Sequence, residues 1–306
     1  MYVPRQDLVL PPINVWIDDL GDPGLVRLRS PDHPSGSSPW FGMSAVLVAD
    51  RVERSCVDQL SFVERSLPGR RGRSVKRVHF RDLSHKSRVM LAGAVARLPV
   101  LTVSYLVNKA HISPGCRVRQ KGELVRHAAR GIVRLVSDVC ARCRDDELLL
   151  PEGAESLYPA SSADWLPPQH GPLKFVFSHT DRLPQQDLRA MFRALRDRGD
   201  STIDWSLVDP DVIRSMPHES RVMLHAADVA ASSLGALLNP DPDQFTEARY
   251  AEELSPRFYK SFGNKDDPTG LVVWPRSACL PSPLRCLHRS QAREKMSEAP
   301  VPVVRP

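Results

Sequence analysis

The chain has 306 residues, of which 42% are hydrophobic and 25% are charged. These fractions are ordinary for a globular protein and exclude a fully disordered chain, a collagen or a coiled-coil rod. Lys and Arg number 42 against 36 Asp and Glu, and the resulting net charge of +6 permits a polyanionic partner without requiring one. No stretch approaches the ~18 apolar residues of a membrane helix, and Asp7 interrupts the apolar run at the N-terminus. We therefore expect no signal peptide, no membrane partner and a cytoplasmic location.

Hydrophobic periodicity and turn residues predict alternating strands and helices. In chain order these are strand 13–17, strand 40–49, helix 50–67, strand 75–83, helix 85–98, strand 99–108, helix 122–144, strand 173–178, helix 184–198, strand 202–208 and helix 219–238. This alternation predicts an α/β fold with a mixed sheet flanked by helices. We expect a single domain over residues 1–274, with its core at about 13–238, and a flexible Pro- and Arg-rich C-terminal tail over 275–306.

The cysteines do not predict a disulfide framework in a chain of this length. Cys140 and Cys143 lie three residues apart on one face of a predicted helix. A zinc site would need a second close pair, so core packing is the better interpretation.

Carboxylates occur at two positions where chemistry is plausible. Asp18 and Asp19 end the first predicted strand, and strand ends are where open α/β sheets bind ligands. Asp228 lies among alanines and valine in the last predicted helix, where a carboxylate is costly unless it is paired or binds a metal. The alternative for Asp228 is the solvent edge of the helix beside Arg221. For Asp18, Asp19 and Asp22 the alternative is an ordinary role in a turn.

Histidines and a basic run are secondary candidates. His79, His85, His179 and His225 could be metal ligands or proton shuttles, and His225 lies one helical turn before Asp228. We expect His225 and His79 beside the site rather than among its ligands. A basic run could hold the phosphates of a nucleic acid, or it could be a solvated loop. It consists of Arg70, Arg71, Arg73, Lys76 and Arg77.

Four motifs, taken in order, resemble the bacterial and phage family DUF3800. Segment 17–24, IDDLGDPG, is similar to the family's opening I-D-E-S-G-D-x-G, and segment 40–47, WFGMSAVL, is similar to its aromatic and apolar second strand. Segment 79–84, HFRDLS, is similar to its middle His motif, and segment 223–231, MLHAADVAA, to its closing L-Q-x-A-D-x-x-A. The resemblance spans roughly residues 13 to 238.

The resemblance implies a ribonuclease-H-like fold, in which aspartates of the first strand and last helix meet over the sheet. It also implies a nuclease or nuclease-like phosphodiesterase that uses Mg²⁺ or Mn²⁺, with two ions ~4 Å apart. Asp18 and Asp228 match the family's metal-binding positions. Asp82 is a further catalytic and metal-ligand candidate, Asp19 a further catalytic candidate, and Asp181 a further metal ligand. Nucleic acid is the partner that this chemistry implies.

The sequence departs from the family pattern at three places. Asp19 and Leu20 replace Glu-Ser, His225 replaces Gln, and no acid precedes His79. These changes leave an alternative open, namely a catalytically weak or inactive module that binds nucleic acid or protein, such as a mobile-element or phage-defence accessory.

Overall fold

The computed structural model describes residues 12–67, 78–145, 173–241, 243–259, 270–275 and residue 284, without the side chains of residues 142–145. These residues include one six-stranded sheet in the order β5-β4-β1-β2-β3-β6. Its strands are β1 (Ile13–Leu20), β2 (Trp40–Ala49), β3 (Leu101–Asn108), β4 (Lys174–Ser178), β5 (Arg214–Met216) and β6 (Leu271–Trp274). The pairs β1–β2 and β2–β3 are antiparallel, whereas β1–β4, β4–β5 and β3–β6 are parallel. The mixed sheet of an α/β protein is thus confirmed.

Helices cover both faces of this sheet, because alternate residues of a strand point to opposite faces. The helices are α1 (Asp50–Ser66), α2 (His85–Arg97), α3 (Lys121–Asp145), α4 (Gln185–Asp197), α5 (Val222–Leu238) and α6 (Arg249–Leu254). In β1, Trp16 and Leu20 join the core beneath α1, α2, α5 and α6, while Val15 and Ile17 join the core beneath α3 and α4. None of the helices in the described ranges is long and apolar enough to cross a membrane.

Helix α5 packs directly on the two central strands, β1 and β2. Ala226, Ala227, Ala230 and Ala231 of α5 are fully buried, and a Cβ atom at Gly235 would lie 3.6 Å from Leu20 Cβ in β1. Small side chains let the helix axis approach the sheet closely, since little volume separates the two backbones. Asp228 lies two turns before Gly235 on the same side of α5, so its side chain faces the sheet.

The turn after β1 has the structural role predicted from its Asp and Gly residues. Gly21 adopts a φ of +71°, and a Cβ atom there would lie 2.1 Å from the carbonyl oxygen of Trp40. The Asp22 carboxylate accepts hydrogen bonds from the backbone N–H groups of Ser38 at 2.7 Å and Gly24 at 2.8 Å. The buried ammonium of Lys109 donates to the carbonyl oxygens of Asp22 and Gly24, at 2.8 and 2.7 Å. Asp22 therefore holds the turn.

Two predicted strands are wrong. Residues 202–208 form turns, because the Asp204 side chain accepts from the Ser206 N–H at 3.0 Å and bends the chain. Ile203 and Leu207 are buried there, so their alternation reflects packing under a loop. Of the predicted strand 75–83, residues 78–83 instead contain the 3₁₀-helix Phe80–Asp82, and residues 75–77 lie outside the described residues.

The C-terminal part contributes more than was predicted. Beyond residue 238, α6 packs on α2 and α5, and β6 pairs with the edge of β3. Apart from Pro275 and Leu284, the expected tail over 275–306 lies outside the described residues.

Candidate metal centre

Two distant aspartates, Asp18 and Asp228, are linked through one histidine. Asp18 lies near the end of β1, and Asp228 lies in the middle of α5. His218, in the short 3₁₀-helix that precedes α5, lies with Nδ1 3.3 Å from Asp18 Oδ2 and Nε2 3.7 Å from Asp228 Oδ2. The side chains are only 11%, 11% and 8% exposed for Asp18, Asp228 and His218. The two acids therefore belong to one nearly buried cluster.

Asp228 is held in place from two further directions. The backbone N–H of Phe80 donates to its Oδ2 at 2.9 Å, and the Ser232 hydroxyl, one helical turn later, donates to its Oδ1 at 2.7 Å. Burial and the charge of Asp18 raise the pKa of Asp228, against the lowering effect of these hydrogen bonds and of His218. Because Asp228 is buried, the alternative placement at the solvent edge beside Arg221 does not hold.

His79 forms the open side of the cluster. Its ring stacks on that of His218 with centroids 4.3 Å apart, and its Nδ1 lies 3.9 Å from Asp228 Oδ2. Its side chain is 34% exposed, which makes it the most accessible member. One ligand atom from each of His79, His218 and Asp228 lies within 4.8 Å of the others, a spacing that suits a single metal ion. The structure therefore places His79 among the candidate ligands, whereas the sequence predicted a position beside them.

His218 carries the positive charge that balances the two acids. Its Nδ1 faces Asp18, and its Nε2 lies 3.1 Å from the carbonyl oxygen of Val78, which can only accept. Burial alone lowers the pKa of His218, but the hydrogen bonds to Asp18 and Val78 and the charges of Asp18 and Asp228 outweigh it and raise this pKa to about 9. Both ring nitrogens of His218 are therefore protonated at neutral pH. A metal that bound Nε2 would have to displace one of these protons.

His225 lies on the buried side of the cluster, one turn before Asp228. Its ring stacks on His218 with centroids 4.9 Å apart, and its Nδ1 lies 2.8 Å from Glu64 Oε1 in α1. The sequence predicted His225 beside Asp228, and the structure places its ring against that of His218.

The remaining acids predicted from sequence lie outside the group formed by His79, His218 and Asp228. Asp82 is exposed and lies 3.8 Å from Arg81, and Asp181 is fully exposed beside His179. Asp19 follows Asp18 in β1, so its side chain leaves the opposite face of the sheet. Desolvation by nearby protein and the charge of Asp18 act to raise the pKa of Asp19, but the residue is exposed, and solvent reduces this effect.

The basic run lies outside the described residues. It comprises Arg70, Arg71, Arg73, Lys76 and Arg77.

Sequence reasoning missed His218, the residue that links the two acids. It lies in an irregular segment with no hydrophobic period, so no pattern placed its side chain. The only available signal was its position directly before the helix that contains Asp228. Such a histidine can fold back over the first turn of the helix.

The donor set indicates the kind of ion that would fit. Two imidazoles and a buried carboxylate suit a borderline transition ion such as Zn²⁺, Co²⁺ or Ni²⁺, whereas Mg²⁺ prefers oxygen ligands. Mn²⁺ lies between these classes. Comparisons of the chain with models of protein families, with functionally characterised proteins and with solved structures found no match.

Proposed function

We propose that the chain is a metal-dependent phosphodiester hydrolase that acts on nucleic acid. The ligands of its divalent ion are His79, His218 and Asp228, and Asp18 lies beside them. The observation that carries this proposal is the convergence of these side chains, from four separate parts of the chain, in a cluster that opens to solvent at His79. The resemblance to DUF3800 implies the same reaction class.

A ribonuclease-H-like architecture is part of the proposal. Its support is the placement of Asp18 on the central strand β1 and of Asp228 on α5, which packs on that strand. The resemblance implies two Mg²⁺ or Mn²⁺ ions held by carboxylates. The described residues instead favour one ion with imidazole ligands, so we propose Mn²⁺ or Zn²⁺ as the working metal.

The chain's own groups would prepare the site for a phosphodiester. When bound, a divalent ion would supply Lewis-acid polarisation of a phosphoryl oxygen. The Phe80 N–H and the Ser232 hydroxyl orient the Asp228 carboxylate, so the ligand needs little reorganisation on binding. The Arg81 side chain, two residues after His79, is 81% exposed and can contact a phosphate.

Cleavage assays test this proposal. Single-stranded RNA, single-stranded DNA, their duplexes and a hybrid are incubated with chelator-treated protein and added Mn²⁺, Zn²⁺ or Mg²⁺. We expect cleavage with Mn²⁺ or Zn²⁺, reduced by about 100-fold or more in Asp228→Asn and His218→Gln, because each variant removes a ligand. Asp58→Asn is the matched control, since Asp58 is exposed in the middle of α1. Equal cleavage by the wild type and Asp228→Asn would refute the proposed site.

A non-catalytic nucleic-acid-binding module is the second candidate. The observation that favours it is the pairing of His218 with Asp18, which offsets the Asp18 charge without a metal ion. This alternative predicts nucleic-acid binding in the presence of a chelator, unaltered by Asp228→Asn and without cleavage under any metal. Fluorescence anisotropy with labelled oligonucleotides distinguishes the two functions.

A further inference from the structure

The peptide group that donates to Asp228 is itself held from its other side. The N–H of Phe80 donates to Asp228 Oδ2 at 2.9 Å, and the carbonyl oxygen of Phe80 accepts from Nε of Arg88 in α2 at 3.1 Å. Phe80 is only 2% exposed, so its ring anchors the residue as well as its backbone. A group that fixes this ring therefore also fixes the donor to Asp228.

Tyr250 of α6 provides the contact that fixes the Phe80 ring. The Tyr250 ring meets the Phe80 ring edge-on, with centroids 5.3 Å apart and planes at 87°, and Tyr250 is itself 2% exposed. Such edge-to-face contacts favour one relative orientation of the two rings. The guanidinium of Arg88 lies 5.9 Å from the centroid of each ring, so one cation contacts both.

The hydroxyl of Tyr250 has a separate partner from its ring. It lies 2.9 Å from Nδ1 of His85, the first residue of α2, and this nitrogen lies 3.4 Å from Glu247 Oε2. The His85 side chain is 63% exposed, so the hydroxyl contact is on the solvent side. Only the ring of Tyr250 contacts Phe80, and a phenylalanine at this position would keep that contact.

We propose that Tyr250 is a positioning residue of the candidate metal centre: through Phe80, its ring sets the place of the N–H group that orients Asp228 and of the adjacent His79. This inference rests on the metal site of the proposed function and names a further residue on which that site depends. Within the described ranges, the polar and ring contacts of Tyr250 are with Phe80, His85 and Arg88, so Tyr250 acts through them.

Helix α6 lies beyond residue 238, where the resemblance to DUF3800 ends. The inference therefore gives this later part of the chain a role in the site that the four sequence motifs do not include.

Hydrogen exchange of the Phe80 amide in the metal-free, full-length chain tests the inference without an activity assay. Tyr250→Leu removes the ring, and we expect it to raise the exchange rate of this amide about tenfold or more, because the bond to Asp228 opens more readily. Tyr250→Phe keeps the ring and should exchange like the wild type. Phe192→Leu is the matched control, because Phe192 is a fully buried aromatic residue in α4, on the opposite face of the sheet.

Co²⁺ titration followed by visible absorption adds a measurement at the metal itself. The d–d spectrum of Co²⁺ depends on the geometry of its ligands. We expect Tyr250→Leu to alter this spectrum and to weaken Co²⁺ binding about tenfold, as loss of an outer contact does. Tyr250→Phe and Phe192→Leu should keep the wild-type spectrum and affinity.

The outcomes separate this inference from the proposed function. A wild-type exchange rate of the Phe80 amide in Tyr250→Leu, or an equal rise in Phe192→Leu or Tyr250→Phe, overturns the inference and leaves the proposed metal site standing. A rise confined to Tyr250→Leu, together with no Co²⁺ binding to the wild type, supports the placement of Phe80 by Tyr250 and removes the proposed function. Should Tyr250→Leu fail to fold, NMR of the wild type replaces it. The ring resonances of Tyr250 should then shift when Zn²⁺ is added, and unshifted resonances overturn the inference.

Discussion

Nδ1 of His218 lies 3.3 Å from Oδ2 of Asp18, and this contact joins the first strand of the sheet to the segment that precedes α5. The opposite edge of the ring faces Asp228 and the carbonyl oxygen of Val78. The His218 cation is therefore surrounded by acceptors, and it offsets the repulsion of two nearly buried carboxylates. Its position is the same one that a metal ligand would occupy.

Removal of the His218 ring should destabilise the metal-free protein. We expect His218→Gln to lower the free energy of unfolding by about 3 kcal/mol, because Asp18 and Asp228 then lose a buried countercharge. Urea unfolding of chelator-treated protein measures this change. His33→Gln serves as the control, and an unchanged urea midpoint in His218→Gln would show that the ring carries no charge there.

Arg88 should control the metal site from a distance. Its guanidinium donates to the carbonyl oxygen of Phe80 at 3.1 Å and lies 5.9 Å from the ring centroids of Phe80 and Tyr250. It thereby holds the segment that provides His79 and the Phe80 N–H. We expect Arg88→Met to weaken Co²⁺ or Zn²⁺ binding about tenfold, as loss of an outer contact typically does. Arg97→Met, an exposed arginine on the same helix, should leave the affinity unchanged, and equal affinities in both variants would remove Arg88 from the account.

Two glycines with the same backbone angle should respond differently to alanine. Gly21 has φ +71° and Gly199 has φ +69°, but a Cβ atom at Gly21 would clash with the Trp40 carbonyl oxygen, whereas Gly199 has nothing within 4 Å. We expect Gly199→Ala to cost about 1–2 kcal/mol, from the left-handed backbone alone. Gly21→Ala should cost clearly more, because the turn after β1 must also shift. Thermal unfolding of the two variants measures these changes. Equal losses of stability in Gly21→Ala and Gly199→Ala would show that Gly21 does not lie so close to the Trp40 carbonyl oxygen.

His127 should make the protein sensitive to acid. Its Nε2 forms a hydrogen bond with the Tyr105 hydroxyl at 3.0 Å, and its ring packs on Trp274. Burial, and to a lesser extent the charge of Arg130, lowers the pKa of His127 from 6.5 to about 4. Between pH 6.5 and pH 4 the His127 ring is protonated in the unfolded chain but not in the folded chain. The free energy of unfolding therefore falls as the pH drops from 6.5 to 4. Its partial exposure reduces the loss to about 1–2 kcal/mol in total.

A variant tests this source of acid sensitivity. His127→Gln has no titrating ring, so its stability should fall less between pH 6.5 and pH 4 than that of the wild type. If urea unfolding shows that the wild type and His127→Gln lose the same free energy of unfolding between pH 6.5 and pH 4, other groups cause the acid sensitivity.

Periodic segments were predictable from sequence, and irregular ones were not. Strands β2 and β3 were predictable as apolar runs. Helices α1, α3 and α4 were predictable from amphipathic patterns, because such patterns record which face meets the core. Ser84 caps α2, since its hydroxyl accepts from the Ser87 N–H. Residues 202–208 show the limit of this reasoning, because apolar residues alternate there under a loop that Asp204 turns.

The residues of the candidate site also differ in how far the sequence could predict them. Asp18 and Asp228 were predictable because one ends a strand and the other interrupts an apolar helix. Their connection depends on His218 and on the segment that contains His79 and Phe80, neither of which lies in a periodic element. Asp82 and Asp181 are aspartates like Asp18 and Asp228, but they are exposed and lie outside the cluster. Their positions were not predictable, because tertiary contacts set the direction of a side chain in a loop.

Titration calorimetry with Mn²⁺ and Zn²⁺ tests most directly whether His79, His218 and Asp228 form a cation site. We expect saturable binding to the chelator-treated wild type and to Asp58→Asn, and loss of that binding in Asp228→Asn. Binding of equal strength in Asp228→Asn, or no binding of either ion to the wild type, would show that these residues do not form a cation site.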